Sequence, residues 1–318
     1  MKFEEFVSYV QEHILDFAPE LQGKAKVNVN RYMKNNGKEV TALTIFENEN
    51  NVSPTIRLED YFRAHVRGKS MEDCLCEMLK IYNTYKVGEF DIGVYVDNFG
   101  QAGPHIVMKL LSREKNERLL ENLPHFNFGD LAVTFSICIS DVFGRGGIAV
   151  TYAMMKEWDV SEDDLLEVAF SNMQENDNTV IFRFDPESVL GNYGTSVRDR
   201  MPNIEEGWPY VLTSADGIFG AAAMLRLDVL QSFADKAQCN VYVLPLSIDE
   251  CLLVQDDGIV SAQQLKRVLT EINRDVNPEE YVLSNSIYYY DRKKHRLHDS
   301  GSTAPMVLMK AGECDDAS

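Results

Sequence analysis

Asn240-Val-Tyr-Val-Leu-Pro-Leu-Ser-Ile-Asp-Glu-Cys-Leu-Leu-Val254 reads as strand, sharp turn, strand. Apolar residues crowd both arms, and the polar groups Ser247, Asp249 and Glu250 gather at the bend. Pro245 lacks a backbone donor and has a fixed φ, so it belongs at the end of a strand. Two strands joined by so short a bend must pair antiparallel. That pairing sets the fold class, because the remaining strand-like runs are also hairpin-linked and interleaved with amphipathic helices.

Working upstream, Ser161-Glu-Asp-Asp164 caps a helix with Leu165, Leu166, Val168, Ala169 and Met173 on one face. Val27–Met33 and Val40–Phe46 alternate around Asn35-Asn36-Gly37 and form a hairpin. Phe3, Phe6, Val7, Val10 and Ile14 recur at helical spacing, as do Met71, Leu75, Met78, Leu79 and Tyr82. Phe90–Val96 alternates like a strand, Asp130–Ile139 and Gly147–Met155 are β-rich, and Val180–Phe184 is a strand. Downstream, Tyr210–Thr213 and Gly220–Leu225 read as strands, Asp228–Gln238 and Ser261–Val276 as helices, and Ile287–Tyr290 as a strand. A final short strand is expected near Val307.

The class is α+β, with mainly antiparallel sheet and helices packed on one side. The order strand-strand-helix-strand occurs at about 130–184 and again at 210–244, a pseudo-repeat in order without a shared motif. The expected organisation is an N-terminal helix-hairpin-helix region over 1–105, an α+β core over 106–311 and a disordered acidic tail over 312–318. Residues 185–209, rich in Gly, Pro and charge, read as an irregular insertion.

Lys and Arg number 31 against 50 Asp and Glu, a net charge of −19. That balance disfavours nucleic-acid backbones and anionic membrane surfaces as partners. No apolar run reaches spanning length, and two acids follow the first residues, so a cytoplasmic location is expected. Six scattered cysteines read as reduced thiols, and Cys74-Leu-Cys76 has no matching pair at zinc spacing.

Asp249 and Glu250 could serve as acid and base, with Asp216 as a third carboxylate, yet neighbours on a strand point to opposite faces. The plainer reading makes them turn acids. His125, between Pro124 and Phe126, reads either as a catalytic imidazole or as a histidine that orders its turn. Phe143-Gly-Arg-Gly-Gly147 lacks a following helix and reads as a hairpin loop, not a phosphate cradle. Tyr290, Arg292, Lys294 and Arg296 form the one basic, aromatic stretch, a candidate binding patch or a tyrosine strand with a charged turn. No nucleophile elbow, nucleotide loop or dinucleotide fingerprint occurs, and no cofactor or metal is expected.

Several stretches together resemble an uncharacterised family of gut-associated Firmicutes proteins, a domain of unknown function distantly similar to YtpQ-like proteins. They include Ser53-Pro-Thr-Ile-Arg-Leu-Glu59, Asn116-Glu-Arg-Leu-Leu-Glu-Asn-Leu-Pro-His125, Trp158-Asp-Val-Ser-Glu-Asp-Asp-Leu-Leu166 and the 241–250 turn. At that turn the family pattern is Leu-Pro-Ser-Ser-Ile-His-Glu. Here Leu246 replaces the first Ser and Asp249 the His, so a Ser/His chemistry would have lost two groups, and only Ser247 and Glu250 match. The resemblance implies a soluble bacterial protein without an assigned activity. The favoured expectation is a non-enzymatic binding or regulatory module with a protein partner. The alternatives are a hydrolase or transferase using the carboxylates of the 245–250 turn, and an acidic decoy that mimics nucleic acid.

Overall fold

The computed structural model describes residues 1–47, 52–88, 90–139, 146–175, 178–185 and 202–311. The expected loop at 48–51, most of the 143–147 glycine loop, residues 186–201 of the expected insertion and the 312–318 tail lie outside the described residues. The chain divides into two compact units, Met1–Asn98 and Phe99–Ser318, with the division upstream of the expected 105/106 boundary.

In the first unit, α1 (Phe3–His13), α2 (Leu58–Val66), α3 (Met71–Tyr85) and the single turn α4 (Gly93–Val96) accompany a sheet of β1 (Ala25–Met33), β2 (Glu39–Glu47) and β3 (Ile56–Arg57). The sheet order is β1-β2-β3 and both pairings are antiparallel. The β1–β2 hairpin closes through residues 34–38, where Asn36 and Gly37 both take positive φ, the region that asparagine and glycine enter most readily. Phe6 and Val10 of α1, with Ile14 just beyond it, meet Leu75, Met78 and Tyr82 of α3 and Leu43 and Ile45 of β2 in one buried cluster. Each such burial contributes roughly 1.5–3 kcal/mol. Ser70 caps α3 by accepting the Asp73 N–H at 3.0 Å. Phe90–Val96, expected as a strand, contains the helical turn α4 instead. Asp91 Oδ1 accepts the Gly93 N–H at 2.9 Å and starts the turn, a local bond that alternation conceals.

In the second unit the elements run α5 (Phe99–Ala102), β4 (Ile106–Ser112), α6 (Glu117–Leu120), β5 (His125–Phe128), β6 (Leu131–Ile137), β7 (Ile148–Ala149), α7 (Tyr152–Trp158), α8 (Glu162–Glu175), β8 (Thr179–Arg183) and β9 (Tyr210–Ser214). A 3-10 helix (Gly220–Leu225), α9 (Leu227–Ala237), β10 (Val241–Pro245), β11 (Glu250–Gln255), α10 (Ala262–Asp275), β12 (Tyr288–Asp291), β13 (Arg296–Asp299) and β14 (Met309–Lys310) follow. One sheet has the order β13-β12-β10-β11-β9-β8. The other has the order β14-β5-β6-β4, with β7 also on β6. Among the described residues all strand pairings in this unit are antiparallel, which makes the fold α+β as expected.

Helices cover both faces of the six-stranded sheet, where packing on one side was expected. Tyr210 stacks edge-on against Phe233 of α9, whereas its neighbour Val211 joins Leu265 and Leu269 of α10. Alternation along β9 sends these two side chains to opposite faces, and each meets an amphipathic helix.

Two further expectations are corrected. Gly220–Leu225 is a 3-10 helix, and Gly147–Met155 keeps only the two-residue β7 before α7 begins at a Thr151 cap. Short apolar runs do not by themselves distinguish strand from helix. The strand-strand-helix-strand order therefore does not recur. Its first version also divides between two sheets, with β6 in one and β8 in the other.

Candidate functional site

The 245–250 turn is built from bonds to its own backbone and to two neighbouring segments. The Ser247 N–H donates to the Glu250 carbonyl at 3.1 Å, and the Ser247 Oγ accepts the Asp249 N–H at 3.1 Å. The Ile248 N–H donates to the Tyr281 carbonyl at 3.0 Å, and Asn277 Nδ2 donates to the Leu246 carbonyl at 2.7 Å. Leu246, Ser247 and Ile248 are all buried. Burial of so short a polar loop is tolerated because its peptide groups find partners.

Asp249 ties this turn to the loop after β9. Its Oδ1 accepts the Phe219 N–H at 3.0 Å, and its carbonyl accepts the Thr213 hydroxyl at 2.6 Å. Phe219 sits in the left-handed region at φ 50, and the buried Gly220 follows. A Cβ on Gly220 would lie 2.2 Å from Thr213 Oγ1, 2.4 Å from the Ser214 nitrogen and 2.5 Å from the Asp249 carbonyl oxygen. Only glycine fits there, because two of the three obstacles are backbone atoms. Glu250 opens β11 opposite Thr213 and is half-buried.

Asp216 is exposed, and its Oδ1 accepts the Ile218 N–H at 3.1 Å. It therefore shapes the 214–218 turn, together with Ser214, whose Oγ accepts the same N–H at 3.0 Å. His125 lies at the start of β5 in the five-stranded sheet, its Nδ1 2.8 Å from the Leu123 carbonyl. Among the described residues no hydrogen bond joins His125 to Ser247, Asp249 or Glu250. The residues expected to converge thus divide: Ser247, Asp249 and Glu250 share one turn, Asp216 stands on the adjoining loop, and His125 orders its own bend.

The candidate basic patch also separates. Tyr290 is fully buried, with its hydroxyl donating to Gln231 Oε1 at 2.7 Å, so it belongs to the core beneath α9 and not to a binding surface. Alternation along β12 turns Tyr290 inward and leaves Tyr289 half-buried on the other face. Arg292 pairs with Asp235 at 2.7 Å and Lys294 with Asp291 at 3.1 Å, whereas Arg296 is exposed on β13.

Two clusters were not legible in the sequence. At the first, the Lys109 Nζ stands 4.9 Å from the centroid of the Phe219 ring. Gly147 is close beside it, where an added Cβ would lie 2.7 Å from Cys138 Sγ and 3.4 Å from Phe219 Cε2. Burial, reinforced by the nearby Asp216 carboxylate, pushes the Cys138 thiol up to about 12. A thiol so held is protonated at neutral pH and is a poor nucleophile.

The second cluster centres on Asp130, at the two-residue tip between β5 and β6. Its carboxylate accepts the hydroxyls of Ser284 (2.5 Å), Ser286 (3.0 Å) and Tyr288. Burial, and then the Asp130 charge, push the Tyr288 hydroxyl well above its ordinary value, so it remains a donor. This clamp joins the tip of one sheet to β12 of the other. Lys109 and Cys138 are separated from Phe219 by some 80 to 110 positions, so no local pattern announces them. Among the described residues no group of three His, Cys, Asp or Glu side chains is placed to hold a metal ion.

A family model described as a family of unknown function, DUF5688, matches residues 3–292. The chain belongs to that family. The match takes in both units of the fold and every residue of the 245–250 turn, and it ends just beyond β12. No curated protein and no solved structure matches the chain. Among the described residues no helix is long and apolar enough to cross a membrane.

Proposed function

We propose that this DUF5688 member acts by binding a protein partner in the bacterial cytoplasm and not by catalysis at the 245–250 turn. The observation that carries this reading is the use of the turn's polar atoms. Ser247 Oγ is held by the Asp249 N–H, and Asp249 Oδ1 is held by the Phe219 N–H. A hydrolytic or transfer centre needs a nucleophile within reach of a base that is itself oriented by a third group. His125 begins β5 in the other sheet, where its Nδ1 lies 2.8 Å from the carbonyl of Leu123 in its own bend.

A reducing compartment is supported by the free thiols of Cys74, Cys76, Cys138, Cys239 and Cys251. The reading is tested by exposing the folded protein to a fluorophosphonate probe and mapping adducts by mass spectrometry. Ser247 is expected to stay unlabelled, as in a Ser247→Ala control. Stoichiometric labelling of Ser247 would overturn the proposal in favour of a hydrolase.

A further inference from the structure

Strand β1 is the outer strand of its three-stranded sheet and pairs with β2 along one side only. The pairing runs without a break from Ala25↔Glu47 to Met33↔Glu39, so no bulge or proline blunts the strand. A regular nine-residue edge presents a row of main-chain donors and acceptors to solvent. Among the described residues nothing pairs with that side.

The charge on this edge is opposite to that of the chain. Between Glu20 and Glu39 there is no acid, while Lys24, Lys26, Arg31, Lys34 and Lys38 fall in the same stretch, in a chain of net charge −19. Lys24, Lys26, Arg31 and Lys34 are all exposed, and none of these four forms an ion pair among the described residues. Lysines on an edge strand guard against pairing with a like strand, which excludes a second copy of β1 as the occupant. The same charges favour an acidic one.

We infer that the outer edge of β1 is a docking site for an extended, acidic peptide segment of a partner protein, added to the sheet as a fourth strand. Main-chain bonds to β1 supply the affinity, and Lys24, Lys26, Arg31 and Lys34 select the charge. A phosphate backbone would satisfy the charges but not the row of peptide groups. This inference rests on reading the protein as a binding module. Its test addresses the first unit alone, so its failure is distinct from labelling at Ser247.

The test titrates the full-length protein with a fluorescent alternating Glu-Val peptide of about nine residues, matched to the length of β1. Three comparisons accompany it: the same peptide N-methylated at every second amide, a single-stranded oligonucleotide of similar length, and the variant Lys26→Glu/Arg31→Glu/Lys34→Glu. Binding is expected to weaken at least about tenfold both for the N-methylated peptide and for the variant. Amide exchange over residues 25–33 is expected to slow in the complex. The inference is overturned by absence of peptide binding, by equal affinity for the N-methylated peptide, or by tighter binding of the oligonucleotide. Because N-methylation alters the probe and not the protein, that arm stands even if the triple variant folds poorly.

Discussion

Asp249 Oδ1 accepts the backbone N–H of Phe219 at 3.0 Å, and this one bond fastens the 245–250 turn to the loop after β9. The two residues are far apart in sequence, and Phe219 occupies a left-handed conformation that a bulky side chain adopts at a cost. The carboxylate offsets that cost by capping the strained peptide.

Asp249→Ala leaves the Phe219 N–H without its acceptor. We expect a loss of about 1–3 kcal/mol in urea unfolding. Asp249→Asn keeps an oxygen in place and is expected to lose less than half as much. Equal losses for the two substitutions would show that the charge, and not the hydrogen bond, matters.

Gly220→Ala is expected to be among the most damaging single substitutions, because its Cβ would collide with the Ser214 nitrogen and the Asp249 carbonyl. Overpacking against backbone costs about 3 kcal/mol or more. Gly23→Ala is the comparison: nothing lies within 4 Å of its Cβ, and only its positive φ opposes the change. There the expected cost is about 1 kcal/mol. Thermal melts of the two variants check the contrast.

Thiol reactivity should follow exposure and burial. Cys76 is exposed, whereas Cys251 is fully buried and Cys138 is pushed up to about 12. Time-resolved iodoacetamide labelling near pH 7 is expected to modify Cys76 well before Cys138 and Cys251, which stay intact until unfolding. Early modification of Cys138 would contradict its placement beside Gly147.

The Arg226–Asp228 pair predicts a dependence on acid. Arg226 is buried and bonds both Asp228 oxygens, at 2.8 and 2.6 Å, and this holds the Asp228 carboxyl below its ordinary value of 3.8. A carboxyl with a lowered folded value stabilises the protein above its unfolded value, and that contribution disappears as pH falls through the folded value. Asp228→Asn is therefore expected to cost about 1 kcal/mol at neutral pH, a modest figure because Asp228 is largely solvent-exposed. The difference from wild type should shrink as the pH drops below 3.8. Urea midpoints across that range measure it.

Much of this architecture could be read from local patterns. Asn36-Gly37 announced the first hairpin, Ser70 and Ser161 announced helix starts, and Pro245 marked the end of β10. Gly220-Ala-Ala-Ala-Met-Leu225 misled because small apolar residues suit a buried strand and a buried 3-10 helix equally. Strand β5 follows directly on Pro124 and is only four residues long, too short for alternation to announce it. The site was legible only in part. Ser247, Asp249 and Glu250 were rightly placed at one bend, but their partners Thr213, Phe219 and Tyr281 come from distant positions. Tyr290 was assigned to a surface patch because composition does not say which face of β12 meets a helix.

Ser247 Oγ and Asp249 Oδ1 hold backbone N–H groups and are not reserved for chemistry. Amide hydrogen exchange at Phe219, compared between wild type and Asp249→Ala, reads this role out at the bonded atom itself. Strong protection of this amide is expected in wild type and its loss in the variant, with the amides of β10 and β11 still protected. Exchange of the Phe219 amide at the rate of an open loop in the wild-type protein would contradict it.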